Sequence, residues 1–474
     1  MKRLIAAGLT AAATLALATA AAGASAMPAD AVLTALPMES SPLTAMVTDL
    51  TPEIASASST VSATVTLDNG GAVPVDDAVI TLSVTAAPLA DAEDLDAFVD
   101  DPASYTLRSV AQNPEPPEPD PESDADATAD DTDQPTEIEP EEPLGIAVSP
   151  GSRSTVTVTA AAPELSLPAG SWGVYGLVVE LETGGDTTVV DAIPLTWADA
   201  EVPSLDIAVL ASATGTGTRI DSILQAADID GAAVALDPTE ISSATVFEQR
   251  LMERDVYRLP AGVPDLTSLA HADDDEVLAL SLSLPPSTTV GTLGEAPWLA
   301  IPAAIDASTA ALSARHGAAA MLATPGAPGF EDVATANASS VSVGDGAATV
   351  IVPDARLSAV LADYRPGTPA ATAMLVAESA LAAAEGTEEP LLIAPGANWR
   401  LGATGVSAPL AALADAPWIS VVPVSDLMKS DPRSIELAST LDTDNDVAAL
   451  TIEALAERID DLRTLAATTA LPGL

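Results

Sequence analysis

The chain has 474 residues, 48% of them hydrophobic but only 3% aromatic, with no cysteine and a formal charge of −53. That charge repels phosphate backbones, which excludes nucleic acid as a partner, and it disfavours anionic lipid surfaces. Without cysteine there are no disulfide staples, so stability must come from core burial or a bound partner.

The first element is a leader. Lys2 and Arg3 precede an apolar run from Leu4 to Ala22, and Ala24-Ser25-Ala26 supplies a small-x-small cleavage pattern. This reads as a secretory signal peptide over residues 1–26. The expectation is therefore a secreted or cell-envelope protein. No later apolar stretch reaches about 18 residues, so no direct membrane insertion is expected once the leader is cleaved.

Residues 43–197 read as short alternating strands. "TVSATVTLDNGG" alternates apolar and polar positions up to the turn at Asn69 to Gly71, and "DDAVITLSVTA" follows it. The pattern resumes in "SRSTVTVTAAAP", "GSWGVYGLVVELETGG" and "TTVVDAIPLTW". This predicts an immunoglobulin-like β-sandwich without the Cys-Trp-Cys hallmark, with Trp172, Tyr175 and Trp197 as core or edge aromatics. An acidic insertion over 113–143 carries thirteen acids and no Lys or Arg. Such a stretch buries too little apolar surface to offset its ordering entropy, so disorder is expected, and its spacing lacks the pattern of a compact calcium loop.

From about Leu205 the rhythm becomes strand then helix. "LDIAVLA", "GAAVALD", "EVLALSLS", "PWLAIPA", "GAAAMLAT", "ATVIVPD", "PLLIAPG" and "PWISVVPV" have strand length. Helical stretches such as "TRIDSILQAAD", "ASTAALSARHG" and "TPAATAMLVAESALAAAEG" lie between many of them. The alternation predicts parallel pairing and an α/β barrel-like domain over 205–432. Finally, Ile452, Leu455, Ile459, Leu462 and Ala466 recur at helical spacing, predicting an amphipathic C-terminal helix over 445–468.

Catalytic motifs are largely missing. There is no G-x-S-x-G elbow, no P-loop with its lysine and no H-E-x-x-H, and "TGTGTRID" lacks the third glycine of a dinucleotide fingerprint. No cofactor and no metal site are expected. The two histidines, His271 and His316, sit on separate segments. His316 before Gly317 reads as a helix C-terminus. His271 with Asp265 is the nearest approach to a hydrolytic metal site, which would need three protein ligands. Glycosidase chemistry needs two facing carboxylates, and Asp237, Asp265, Asp306, Asp354 and Asp426 lie at strand ends where an α/β barrel keeps its ligands. An Asp just after a strand is more often the N-cap of the next helix, as "VALDPTE" and "IPAAIDAST" suggest. The candidate catalytic residues are therefore Asp265, His271, Asp237 and Asp354. The leading expectation is nevertheless a non-catalytic protein that binds a cell-wall polymer or an envelope protein; the alternative is a carbohydrate-active hydrolase, deacetylase-like or glycosidase-like, using these residues.

Four stretches in order, "VALDP", "RLPAGVPDLTSLAHA", "LVAESALAAAEGTEEPLLIAPGANW" and "LAALADAPWISVVPVSDL", resemble domain-of-unknown-function family 6049. The likeness rests on the "AE-x₆-E" helix with Glu378 and Glu385 and on "APW" at Ala416 to Trp418, and it takes in nearly the whole chain. It implies an exported envelope protein of high-GC Gram-positive bacteria. The family's genes often lie beside a lipid II flippase gene, which implies cell-wall biogenesis. Members commonly continue into a membrane-spanning helix and basic tail, which the sequence to Leu474 does not contain. They also commonly carry a Tyr and an Asp where this chain has Ala261, Gly262 and Val263, which weakens any site built on that loop.

Overall fold

Alternation of buried and half-exposed side chains defines the first half of the molecule. The computed structural model describes residues 43–113, 145–214, 217–237, 239–240, 251, 254–284, 295–324, 330, 339–343, 346–362, 369–386, 389–396, 399, 408–429, 433–435, 437–438 and 441. The expected leader over 1–26, the expected acidic insertion over 113–143 beyond Asn113, and the expected helix over 445–468 lie outside the described residues. The elements of the first half are β1 (Leu43–Thr51), β2 (Ile54–Ala55), β3 (Thr60–Asn69), β4 (Val75–Thr85), α1 (Ala92–Asp100), β5 (Leu107–Gln112), β6 (Ile146–Val148), β7 (Arg153–Ala161), α2 (Ala162–Leu165), β8 (Trp172–Thr183) and β9 (Asp186–Ala198).

In β3 every second residue is buried, the signature of a strand with one face on a core. β1, β3 and β7 form one antiparallel sheet, and β2, β9, β8, β4 and β5 form a second that is antiparallel except where β2 pairs β9 in parallel, with β6 pairing β4. Both sheets feed one core: Val61, Val65 and Leu67 from the first meet Ile80, Leu82, Leu177 and Leu195 from the second. Trp197 and Tyr175 are buried with them, and Trp172 is half-buried at the edge. The chain crosses from the first sheet to the second at Asn69. Its Nδ2 donates to Val73 O and Val148 O, both at 2.9 Å, and its Oδ1 accepts from Gly71 N at 3.0 Å.

One stretch that reads as strand is helical. Asp91 caps α1 by accepting from Asp94 N at 2.9 Å, and Leu95 and Phe98, three residues apart, bury the inner face. The capping acid overrides the strand rhythm on either side. Phe98 meets Tyr105 edge-on at 5.5 Å, and it presses so closely on Gly176 of β8 that a Cβ there would collide with the ring.

The second half alternates strands and helices. It comprises β10 (Leu205–Ala213), α3 (Gly217–Ala226), β11 (Ala233–Leu236), β12 (Val256–Arg258), α4 (Leu266–His271), α5 (Glu276–Ser283), β13 (Leu299–Ala300), α6 (Ala307–Arg315), β14 (Ala320–Leu322), β15 (Ser339–Val343), β16 (Gly346–Ile351), α7 (Ala355–Ala362), α8 (Pro369–Glu385), β17 (Leu391–Ile393), α9 (Ala408–Asp415), β18 (Ile419–Val421), α10 (Val424–Leu427) and β19 (Arg433–Ile435). β10 is buried at eight of nine positions, as expected of a strand covered on both faces. It pairs in parallel with β11, β17 and β18, and β11 pairs in parallel with β12. β13, β14 and β16 also run parallel, while β15 is antiparallel to β16. A bridge from Arg258 to Trp298 joins β12 to the start of β13, and Asp354 N donates to Leu392 O at 2.7 Å between the ends of β16 and β17.

"EVLALSLS", read as a strand, is the helix α5. Asp274 Oδ1 takes the N–H groups of Glu276, at 2.9 Å, and Val277, so the acid run before it starts a helix. Leu278 and Ser281 then face inward three residues apart. The strands expected around "LDIAVLA", "GAAVALD", "PWLAIPA", "GAAAMLAT", "ATVIVPD", "PLLIAPG" and "PWISVVPV" all form.

The two halves share one hydrophobic cluster, in which Leu95, Phe98, Val174 and Val178 join Ile220, Leu375 and Trp418. α8 packs on β9 and contributes Ala373 to the core between the antiparallel sheets. Among the described residues, no helix is long and apolar enough to cross a membrane.

Candidate functional site

A cavity of about 660 Å³ opens where several strands end. Its walls come from the residues after β12, β13, β14, β16 and β17 together with α7; Val263, Asp265, Ile301, Thr324, Ala359 and Gly396 represent them. Small apolar side chains dominate, and Asp265 is the one ionisable residue among those described as lining it.

Of the four residues selected from the sequence, only Asp265 lines this cavity. It is the N-cap of α4: Oδ1 accepts from Ser268 N at 3.2 Å, and Oδ2 accepts from Ser268 Oγ. Leu266 and Leu269, on the helix that follows, are buried. Asp237 is fully buried at the end of β11. Its Oδ1 accepts from Thr239 N at 2.8 Å and Thr239 Oγ1 at 2.7 Å, and its Oδ2 accepts from Gly262 N at 2.6 Å. It therefore ties the strand end to the loop before α4.

His271 pairs with Asp306 and not with Asp265, its Nε2 lying 2.7 Å from Asp306 Oδ2. Asp306, fully buried, also caps α6 through Thr309 N at 2.8 Å and accepts from Leu441 N at 2.9 Å. Burial pushes its carboxyl upward, but these donors outweigh that and hold it below the usual carboxylate range. His316 is the C-cap of α6 and is followed by Gly317 at φ 73°, as its sequence context suggests.

Asp354 sits at the N-terminus of α7, where Oδ1 accepts from Leu357 N at 2.8 Å. Burial raises its carboxyl above the ordinary value. Two residues on, Arg356 makes a clasp that no sequence pattern indicated. Its Nε and one terminal nitrogen reach Glu378 Oε2 at 3.2 Å and Oε1 at 2.7 Å. It also meets Asp96 at 2.9 Å and Ala92 O at 2.8 Å on α1. Glu378, 4% exposed, is the first acid of the "AE-x₆-E" helix; burial raises its carboxyl despite the guanidinium beside it. The spacing of 22 residues between two helices hid this pair from any local motif. Among the described residues, no group of three or more His, Asp or Glu side chains is close enough to share a metal ion.

Antiparallel sheets joined through a shared core to parallel strands and helices, with a mostly apolar cavity at the strand ends, define a multi-sheet, β-rich protein. The chain belongs to DUF6049, a family of unknown function, whose description matches residues 1–226 and 206–470. No curated protein matches the chain. Among solved structures, a β-glucosidase from Listeria innocua in complex with isofagomine is similar at 12% identity and TM-score 0.20, covering 33% of this chain and 16% of that one. The sporulation control protein Spo0M from Bacillus subtilis is similar at 14% identity and TM-score 0.19, covering 32% and 49%. This chain thus spans about a sixth of the β-glucosidase and half of Spo0M, and likeness at this level carries neither fold nor activity.

Proposed function

We propose that this is an exported, non-catalytic cell-envelope protein that binds a wall polymer or an envelope partner during cell-wall biogenesis. Its architecture in this reading is an immunoglobulin-like sandwich followed by an α/β barrel-like domain. The shared core of the two antiparallel sheets supports the first part. The links from β12 to β13 and from β16 to β17 support the second. Export follows from the leader at residues 1–26.

One observation carries the non-catalytic reading. Asp237, Asp265, Asp306 and Asp354 each accept hydrogen bonds from backbone N–H groups of their own turn or helix start. These are capping and loop-tying duties, and they account for an Asp at each strand end without any chemistry. A second reading, a carbohydrate-active hydrolase of deacetylase or glycosidase type, draws on the position of Asp265 in the cavity wall. It requires a second carboxylate about 5–10 Å away across the cleft. Incubating the purified protein with purified wall polymers, with and without Zn²⁺, separates the two. Retention on the polymer without release of products supports the binder. Hydrolysis abolished by Asp237→Asn or Asp265→Asn overturns it.

A further inference from the structure

A strained loop forms part of the cavity wall. Val263 lies at φ 41°, beside Gly262 at φ 72°. A β-branched residue avoids the left-handed region, and one that occupies it must be held there by its surroundings. The hold is visible. Gly262 N donates to Asp237 Oδ2 at 2.6 Å, Ser281 Oγ donates to Ala261 O, and Val263 N donates to Pro260 O at 2.9 Å. Asp237 and Ser281 are both buried, yet Val263 itself remains 37% exposed in the cavity wall. Buried polar groups are thus committed to presenting an apolar side chain at an open surface.

Elsewhere the walls are short. Ala355, Ala359 and Ala362 of α7, with Pro395 and Gly396 after β17, leave the volume unfilled. The size falls within the range that holds a small organic ligand. No aromatic, Lys, Arg or His side chain is among the described lining residues. Besides the hydroxyl residues Thr324 and Ser358, the polar feature is the ionisable Asp265, whose two oxygens receive the Ser268 N–H and hydroxyl. A carboxylate offers about four acceptor positions, so capacity remains for a ligand donor.

We propose that this cavity binds a compact apolar molecule bearing a primary ammonium group, its body against Val263, Ile301 and Ala359 and its ammonium on Asp265. The inference deepens the binding role proposed above and rests on the cavity being a binding site. The apolar walls reward burial of a hydrocarbon body. A single carboxylate, in a chain of net charge −53, attracts a cation and rejects an anion.

The test is calorimetric titration of the mature chain, at physiological ionic strength, with three probes of one shape: 1-aminoadamantane, 1-adamantanol and adamantane-1-carboxylate. The ammonium is expected to bind at least about tenfold more tightly than the carboxylate, with the alcohol between them. Asp265→Asn should bring the ammonium to within about threefold of the alcohol. Ala359→Phe, which fills the cavity, should abolish saturable binding of both, and Ala303→Phe, after β13 in the same lining, serves if that variant does not fold. Ammonium binding unchanged by Asp265→Asn and by the filling variant would overturn the proposal, because it would reflect only attraction to the acidic surface. Alcohol binding that Ala359→Phe removes, with no gain from the ammonium, would overturn the ligand class and leave the binding site standing. No probe binding, with polymer retention unaffected by Ala359→Phe, would overturn both.

Discussion

At Asp306 one buried carboxylate gathers the Thr309 N–H, the Leu441 N–H and the His271 ring, joining α6, α4 and a distant segment of the chain. Removing it deprives the buried start of α6 of its cap at the Thr309 N–H, so Asp306→Ala is expected to cost about 1–3 kcal/mol. The pH dependence has a definite sign. A carboxyl held below its ordinary value stabilises the fold above the ordinary carboxylate range, and that contribution is lost as pH falls through the folded value. Asp354 and Glu378 shift the opposite way, so their contribution is largest at low pH and fades as pH rises. The Asp306 share is isolated by difference. The gap in urea midpoint between the natural chain and Asp306→Asn should be largest near neutral pH and shrink below about pH 4. A gap that widens in acid would contradict this assignment.

Between elements, the Arg356 clasp is the polar link from α7 and α8 to α1. Arg356 is partly exposed while Glu378 is almost fully buried, so the asymmetry matters. Arg356→Ala strands a buried carboxylate and should cost about 1–3 kcal/mol, below a fully buried pair because solvent screens one partner. Arg356→Lys should recover little, since a lysine cannot bond both oxygens of Glu378 at once and also reach Asp96 and Ala92. The pair Arg356→Met with Glu378→Gln should cost less than Arg356→Ala alone, read from denaturation midpoints. This clasp also marks what the sequence could reveal. Strands such as β3 and β10 were legible because apolar residues recur every second position or run continuously, and Asp306 was legible as a cap from strand-Asp-helix order. α5 was not, because "EVLALSLS" satisfies both periods and the deciding bonds come from Asp274 before it. β12 is three residues long, too short for any period to show. The partnership of His271 with Asp306, 35 residues apart, and the strain at Val263 depend on tertiary placement that no local pattern encodes.

Over the whole molecule, charge opposes compaction. A net −53 on 474 residues repels itself at low ionic strength, and added salt screens that repulsion. The thermal midpoint should therefore rise between about 10 and 200 mM NaCl, where Debye lengths shrink from about 30 Å to under 10 Å. A midpoint that falls with salt would mean that attractive pairs such as Arg356 with Glu378 and Asp96 outweigh the net field. The same field disfavours polyanions and favours neutral or cationic groups, in keeping with a cavity in which the ionisable residue among the described lining is an acid. The central claim is that this architecture binds and does not cut. Its most direct test is product release and retention measured together on purified wall polymer, with the natural chain beside Asp237→Asn and Asp265→Asn. Retention without product is the predicted result; turnover lost in either variant would contradict it.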